Sequence, residues 1–384
     1  MAKSARSRHP HSRNSLNPVE TSGEGSSCPK SEATTGRTPR RARLPLLLAI
    51  LIVTGFVPQI HAMQSGATAT RAGVTRYIVV LRHAIAHPGA VAAMHARVYG
   101  VQVTNVFHSA LKGYAAAVPA SRVAARADHR VLFVSPDAHV QMTAQAAGTG
   151  VERIKAVSKA NRGTGVNVAV IDTGIDVRHP DLEANIAGGV NCSGGGRKNY
   201  DDGHGHGTHV GGIIAALDKR DRRGGVAPEA KLIAVRVLND KGIGYTSDVI
   251  CGIDFVDSKS PAKGGPIAVA NMSLGGYGSD DRNCGRTNGD GLHLAICQAV
   301  SDGVTFAVAA GNSGSDLSQP FTFVPASYEE VITASALDDS DGQPCGLGPM
   351  TKYGPDDDFP WLSNYATSST DLSHLLAAPG VSIY

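Results

Sequence analysis

Five short apolar runs recur through the last two thirds of this chain. They are "VNVAVID" (Val166–Asp172), "KLIAVRVL" (Lys231–Leu238), "IAVANMSL" (Ile267–Leu274), "VTFAVAAGN" (Val304–Asn312) and "EVITASAL" (Glu330–Leu337). Asp, Gly, Ser or Asn punctuates them. Stretches with helical periodicity lie between them: "HGTHVGGIIAALD" from His206, "TSDVICGIDFVDSK" from Thr246 and "GLHLAICQAVSDG" from Gly291. Near-continuous apolar strands alternating with helices predict a mostly parallel sheet covered by helices on both faces, an α/β fold. In such sheets chemistry collects at the carboxyl ends of the strands, where the strand-to-helix loops gather.

A second, smaller pattern precedes it. "RYIVVL", "QVTNVFHSALKGYAAAVP" and "VLFVSPDAHVQM" read as strands, the middle segment as two around Leu111–Gly113. "PGAVAAMHARVYG" and "ASRVAARADHR" read as helices. The order β-α-β-β-α-β over residues 76–143 predicts a ferredoxin-like α+β unit. "TAQAAGTG" after it is small and flexible, a linker.

The 384 residues are 42% hydrophobic and 18% charged, a globular balance. The net charge of +3 is unevenly placed. Residues 1–43 hold nine Lys and Arg against three Glu, so the rest of the chain is slightly acidic. A basic leader of this kind gives no argument for nucleic-acid binding. After it comes "LPLLLAILIVTGFV", Leu44–Val57, uncharged and too short for a comfortable bilayer span. With small residues up to Ala62 it reads as a signal-peptide core and cleavage region, hence export; the alternative is a membrane anchor over residues 44–60. Cys28 lies in the leader, leaving Cys192, Cys251, Cys284, Cys297 and Cys345. Five is odd, so the expectation is one cysteine unpaired or lacking its partner in this chain. Cys284 and Cys297 are expected to pair. No C-x-x-C zinc spacing occurs.

Three groups carry chemistry. Asp172 ends a strand and is followed by Thr173-Gly174. A single "DTG" in an α/β pattern does not make an aspartic protease, which needs two carboxylates sharing a proton. His204, His206 and His209 fall within "GHGHGTHVGG". A zinc helix wants two His one turn apart around a Glu, which is missing, although Asp201 and Asp202 nearby keep adventitious metal binding open. The other reading is that His206 opens a helix. The helix dipole there disfavours the protonated ring and suits a general base, with an acid such as Asp172 orienting its far nitrogen. Asn312, in "VAAGNSG", offers an amide donor to an oxyanion.

Together, "VAVIDTGID", "GHGHGTHVGG", "NMSLGG" and "VAAGNSG" resemble, in order and spacing, the motifs of the subtilisin-like serine proteases (peptidase S8), from about Val151 to the chain end. The resemblance implies that Asp172 orients, His206 is the base and Asn312 donates to the oxyanion, while His209 is structural. It implies that Ser273, Leu274, Gly275 and Gly276 form an edge strand for an extended polypeptide substrate. Ser273–Gly276 together with Ala309, Ala310 and Gly311 would wall the primary pocket, with Phe323 narrowing its base. No acidic residue is evident there, which argues against strict preference for a basic side chain. Residues 63–143 resemble the family's inhibitor (I9-type) propeptide, an intramolecular inhibitor. The cut is then expected near Thr143–Ala144, with "AHVQMT" in the non-prime cleft. Domain boundaries follow: 1–43 a basic, disordered leader, 44–62 the signal region, 63–143 the propeptide and 144–384 the peptidase domain.

The resemblance requires no cofactor for catalysis and implies a monomer. A structural Ca²⁺ is implied through Gln145, Asp181 and the carbonyl of Leu217. Against it, Lys219 stands where an amide oxygen is usual, among Arg220, Arg222 and Arg223. The nucleophile is missing. No "GTSMA"-like motif occurs, and "AAPGVSIY" (Ala377–Tyr384) resembles the segment that precedes it. The expectation is therefore a C-terminally incomplete subtilisin-like domain, inactive as written. It is either part of an ordinary secreted endopeptidase or a truncated, inactive member that binds peptides or acts through its inhibitor-like unit.

Overall fold

A computed structural model describes residues 74–119, 128–142, 150–156, 161–217 and 224–381. The leader with Cys28, the apolar segment, Gln145 and the Lys219–Arg223 loop lie outside the described residues.

The small unit comes first. It contains β1 (Val74–Leu81), α1 (Pro88–Tyr99), β2 (Gln102–Phe107), β3 (Gly113–Pro119) and β4 (Val131–Pro136). Pro88 supplies the pre-set φ of a first helical residue, and Gly100, at φ 66°, closes α1 in the left-handed region. The sheet order is β2-β3-β1-β4, with β1 antiparallel to both neighbours, as the ferredoxin-like pattern predicts. The second expected helix falls mostly on residues 120–127, outside the described residues. The closing strand, read as one run to Met142, divides at Pro136-Asp137. Its second half, β5 (His139–Met142), leaves the small sheet for another.

After a short helix α2 (Gly150–Arg153) come β6 (Asn167–Asp172), β7 (Ile186–Asn191), α3 (His206–Ala215), β8 (Lys231–Arg236), β9 (Ile243–Tyr245) and α4 (Thr246–Asp257). They are followed by β10 (Ile267–Met272), β11 (Leu274–Gly278), α5 (Gly291–Ser301), β12 (Thr305–Ala309) and β13 (Thr322–Val324). The described chain closes with β14 (Ile332–Leu337), α6 (Ser369–Leu372) and β15 (Leu375–Pro379). Seven strands form one parallel sheet in the order β15-β14-β12-β10-β6-β8-β7. The run "IAVANMSL" is two strands, because the chain leaves the parallel sheet at Ser273 and β11 joins a different one.

The strand period of two sorts the core. Val168, Val170, Leu232 and Ala234 pack with Val210 and Ala215 of α3. Ala169, Ile171, Ile233 and Val235 face the other way and share a core with Val249 and Ile253 of α4 and Leu292 and Ile296 of α5. The small unit adds to that second layer. Ile78, Val80, Phe107 and Leu111 belong to the α4/α5 core, whereas Val79 and Leu81 pack with Val91 and Ala92 of α1. Carboxylates finish the joint. Asp254 of α4 accepts from the amides of His108 (3.1 Å), Ser109 and Ala110 (2.9 Å). Asp137 accepts from the Ser247 amide and hydroxyl, each at 2.8 Å, at the start of α4.

Two disulfides join described residues, Cys192–Cys251 and the expected Cys284–Cys297. Cys345 is disulfide-bonded as well, and no described cysteine is a free thiol. This corrects the parity count, which took five cysteines in isolation and so ignored any bond to a residue outside that set. No helix among the described residues is long and apolar enough to cross a membrane.

Candidate active site

Asp172 is the last residue of β6 and is fully buried. His206 is the first residue of α3, after Gly205 with φ 101°. Its Nδ1 lies 2.8 Å from Asp172 Oδ1 and 3.0 Å from Oδ2. An ionised carboxylate only accepts, so Nδ1 carries the hydrogen and the Nε2 lone pair is left for a proton. The Thr173 amide also donates to Asp172 Oδ1, at 2.7 Å. This is the geometry that the acid–base half of an acyl-transfer triad requires, and it forms where β6 hands over to the loops.

The close packing of strand and helix has a local cause. A Cβ on Gly207 would lie 2.2 Å from the Gly174 carbonyl oxygen and 3.1 Å from Asp172 Cβ, so only glycine lets α3 come this near. The Gly207 amide donates to Thr173 Oγ1 at 2.9 Å.

Asp202, read from sequence only as a stray carboxylate, holds the start of the helix. Its Oδ1 accepts from the amides of His204 (2.8 Å) and Gly205 (2.9 Å), and its Oδ2 from the Thr208 amide (3.0 Å) and hydroxyl (2.6 Å). Burial pushes its carboxyl up, but the Thr208 hydroxyl and the three amides outweigh burial and hold the group below its ordinary range. The histidine cluster therefore has one member committed to Asp172. The His204 ring stands 6.4 Å from that of His206, and His209 continues the helix through its amide to Gly205.

The expected oxyanion donor and pocket walls gather at the same edge. Ser273 follows β10, and Ala310, Gly311 and Asn312 follow β12; in strand order β10 lies between β12 and β6. Asn312 is exposed. A residue that the sequence did not reveal, Asn364, fastens this loop from beneath. It is fully buried. Its Nδ2 donates to the Ala310 carbonyl (2.8 Å), its amide donates to the Gly311 carbonyl (3.0 Å), and its Oδ1 accepts from the Ser313 and Ser315 amides (3.0 Å each). Those bonds bracket Asn312 on both sides. No local pattern announces such a residue, because its partners are backbone groups about fifty positions away.

Phe323 is buried between the two segments expected to wall the pocket. A Cβ on Gly275 would meet its ring at 2.6 Å, and one on Gly311 at 3.0 Å. The edge strand Leu274–Gly276 is occupied within the chain itself. β5 pairs antiparallel with it (Leu274↔Met142, Gly275↔Gln141), and on its other side with β9 (His139↔Tyr245, Gln141↔Ile243).

Of the expected calcium donors, Asp181 and Leu217 adjoin, the Leu217 amide donating to the Asp181 carbonyl at 2.9 Å. Gln145 is outside the described residues. Asp181 and Leu217 would supply two of the six to eight oxygens that Ca²⁺ takes.

A family model described as the subtilase family, peptidase S8, matches residues 163–382. Subtilisin E of Bacillus subtilis (strain 168) is 39% identical over 216 residues, 56% of this chain and 52% of that one. Subtilisin DY of Bacillus licheniformis is 34% identical over 244 residues, 63% of this chain and 75% of that one. The chain thus spans about half the length of subtilisin E. Among solved structures, fervidolysin from Fervidobacterium pennivorans, a keratinolytic enzyme related to subtilisin, superposes with a TM-score of 0.54 at 22% identity, covering 71% of this chain and 45% of that one. That likeness concerns the fold alone. The sequence matches, falling on the strands and loops that carry Asp172 and His206, place this protein in the subtilase family, peptidase S8.

Proposed function

We propose that this protein is a secreted serine endopeptidase of the subtilisin type, made as a self-inhibited precursor. The observation that carries the reading is the Asp172–His206 pair at 2.8 Å on the carboxyl edge of the sheet. In this scheme Asp172 fixes the His206 tautomer. Nε2 takes the proton of the attacking serine and later gives it to the leaving amine. Asn312, braced through Asn364, donates to the oxyanion, and the chemistry draws on no cofactor. An extended polypeptide pairs with Leu274–Gly276 through backbone bonds, which give affinity with little sequence selectivity. Its primary side chain enters between the Ser273–Gly276 and Ala309–Gly311 walls, with Phe323 at the base.

The self-inhibition rests on β5, which fills the edge position a substrate would take. Cleavage near Thr143–Ala144 would leave His139–Met142 as a bound product. A calcium ion near Asp181 and Leu217 belongs to the same proposal, as does the monomeric state. The test is labelling of the complete gene product with a fluorophosphonate probe, together with N-terminal sequencing of the processed form. Labelling that His206→Ala abolishes, with a mature start within a few residues of Ala144, is the expected outcome. A folded product that never reacts with the probe overturns the protease assignment.

A further inference from the structure

Away from the candidate active site, a buried histidine at the start of α5 is surrounded by acids. His293 is fully buried, and its ring lies flat on Tyr328, with centroids 4.0 Å apart and planes within 4°. The Tyr328 hydroxyl donates to Asp290 at 2.6 Å, which holds the stack in place. His293 Nε2 lies 2.9 Å from Glu330 Oε2 and carries the hydrogen, since the carboxylate only accepts. The ring is thereby oriented with Nδ1 facing Asp280 Oδ1 at 3.6 Å and Asp281 Oδ1 at 3.5 Å. Neither His293 Nδ1 nor Asp280 Oδ2 makes a hydrogen bond, although both are buried.

A nitrogen lone pair aimed at two carboxylates is repulsive unless a positive charge stands between them. That charge is either a proton or a metal ion, and the distances discriminate. Where histidine and carboxylate share a proton elsewhere in this molecule, they close to 2.8 Å (His206–Asp172) and 2.9 Å (His95–Asp128). The His293 contacts lie outside the range of an N–H···O bond. They match instead the edges of a tetrahedron, because metal bonds of about 2.0–2.2 Å to nitrogen and oxygen put the ligands about 3.3–3.6 Å apart. One ligand atom from each of Asp280, Asp281 and His293 lies within 4.8 Å of the others.

The surroundings are those of a metal centre. A ligating histidine usually gives its other N–H to a carboxylate, as His293 does to Glu330, and ligating carboxylates are themselves anchored. Asp281 accepts from the amides of Asn283 (2.9 Å), Gly285 (2.8 Å), Thr287 (2.7 Å) and Asn288 (3.2 Å). We propose that Asp280, Asp281 and His293 form a structural site for a tetrahedral divalent transition-metal ion of the Zn²⁺ type, with water as the fourth ligand. The mixed imidazole and carboxylate set favours such an ion over Ca²⁺, which takes oxygen ligands only. The ion would staple the loop ahead of α5 to the helix, beside the Cys284–Cys297 bridge. The site is independent of the proposed protease activity.

The test uses the full chain, stripped with EDTA and titrated with Zn²⁺ alone, followed by calorimetry and thermal melting. One Zn²⁺ per chain, with a raised melting temperature, is expected. Asp280→Asn, which keeps size and shape, should weaken that binding at least a hundredfold. Glu330→Gln should weaken it about 10- to 100-fold through loss of ring orientation. His204→Ala, in the other histidine cluster, should leave it intact. Should His293→Gln fail to fold, the Asp280→Asn comparison still decides. No Zn²⁺ binding, undiminished binding in Asp280→Asn, or preference for Ca²⁺ would each overturn the proposal.

Discussion

At the scale of single residues, the site depends on contacts with no slack. Gly207 is the clearest case. An alanine there would drive its methyl to 2.2 Å from the Gly174 carbonyl, so Gly207→Ala must push α3 away from β6 and lengthen the Asp172–His206 pair. The expected cost is about 1–3 kcal/mol in urea unfolding, the usual range for overpacking. Asn364→Ala strands the buried Ala310 carbonyl and removes the acceptor of the Ser313 and Ser315 amides. A loss of about 1–3 kcal/mol is expected and, under the proposed protease function, a larger effect on kcat than on KM, since Asn312 loses its brace. Asp172 and His206 were legible in the sequence because each sits in a local motif at a strand end or helix start. Asn364 was not, because its partners are backbone groups about fifty positions away; Asp202 caps its own segment, two to six residues on, and was read only as a stray carboxylate.

At the scale of elements, the strongly apolar strands and the helices between them were readable, while β7 and β15 were not. "IAGGVN" has little β propensity, and a Cβ on its Gly189 would strike the Ala234 carbonyl at 2.3 Å, so close approach to β8 selects glycine. "LLAAP" is short and ends in proline, a combination tolerated on the edge position that β15 holds. The disulfides join elements over different spans. Cys192–Cys251 links the end of β7 to α4 across 59 residues, and Cys284–Cys297 links a loop to α5 across 13. On the chain-entropy model, replacing the first pair by alanine should cost about 4 kcal/mol and the second about 3 kcal/mol, read as separate shifts in denaturant midpoint. Equal shifts, or a larger one for the short loop, would show that native packing rather than loop closure sets the effect.

At the scale of the molecule, the small unit sits on α4 through carboxylates, and this makes the joint sensitive to pH. Burial pushes Asp248 up to about 7, with Asp137 adding to the rise and the Tyr245 amide and Arg76 opposing it. Burial also raises Asp254, against the amides of Ser109, His108 and Ala110. An acid raised in the folded state holds a proton that the unfolded chain has already released. Its stabilisation is therefore complete below about pH 4 and is lost as pH rises through about 7. The chain should accordingly lose stability across that window, with a slope of up to about 1.4 kcal/mol per pH unit from Asp248 alone. Asp248→Asn should flatten the slope in denaturant titrations at pH 4, 5.5 and 7. An unchanged slope would place the effect on other groups.

The sequence by itself determined the parallel α/β sheet, the small split unit ahead of it and the Asp172–His206 pair. Each is written in a local period or motif, and burial on a sheet or against a helix enforces that period. The tertiary structure decided the rest. It split Val131–Met142 at Pro136-Asp137 and sent His139–Met142 to pair with Leu274–Gly275. It bonded Cys345, set Asn364 beneath the Ala310–Ser315 loop, and turned His293 toward Asp280 and Asp281. These outcomes depend on where distant backbone groups and charges meet, and no period along one strand or helix encodes that meeting.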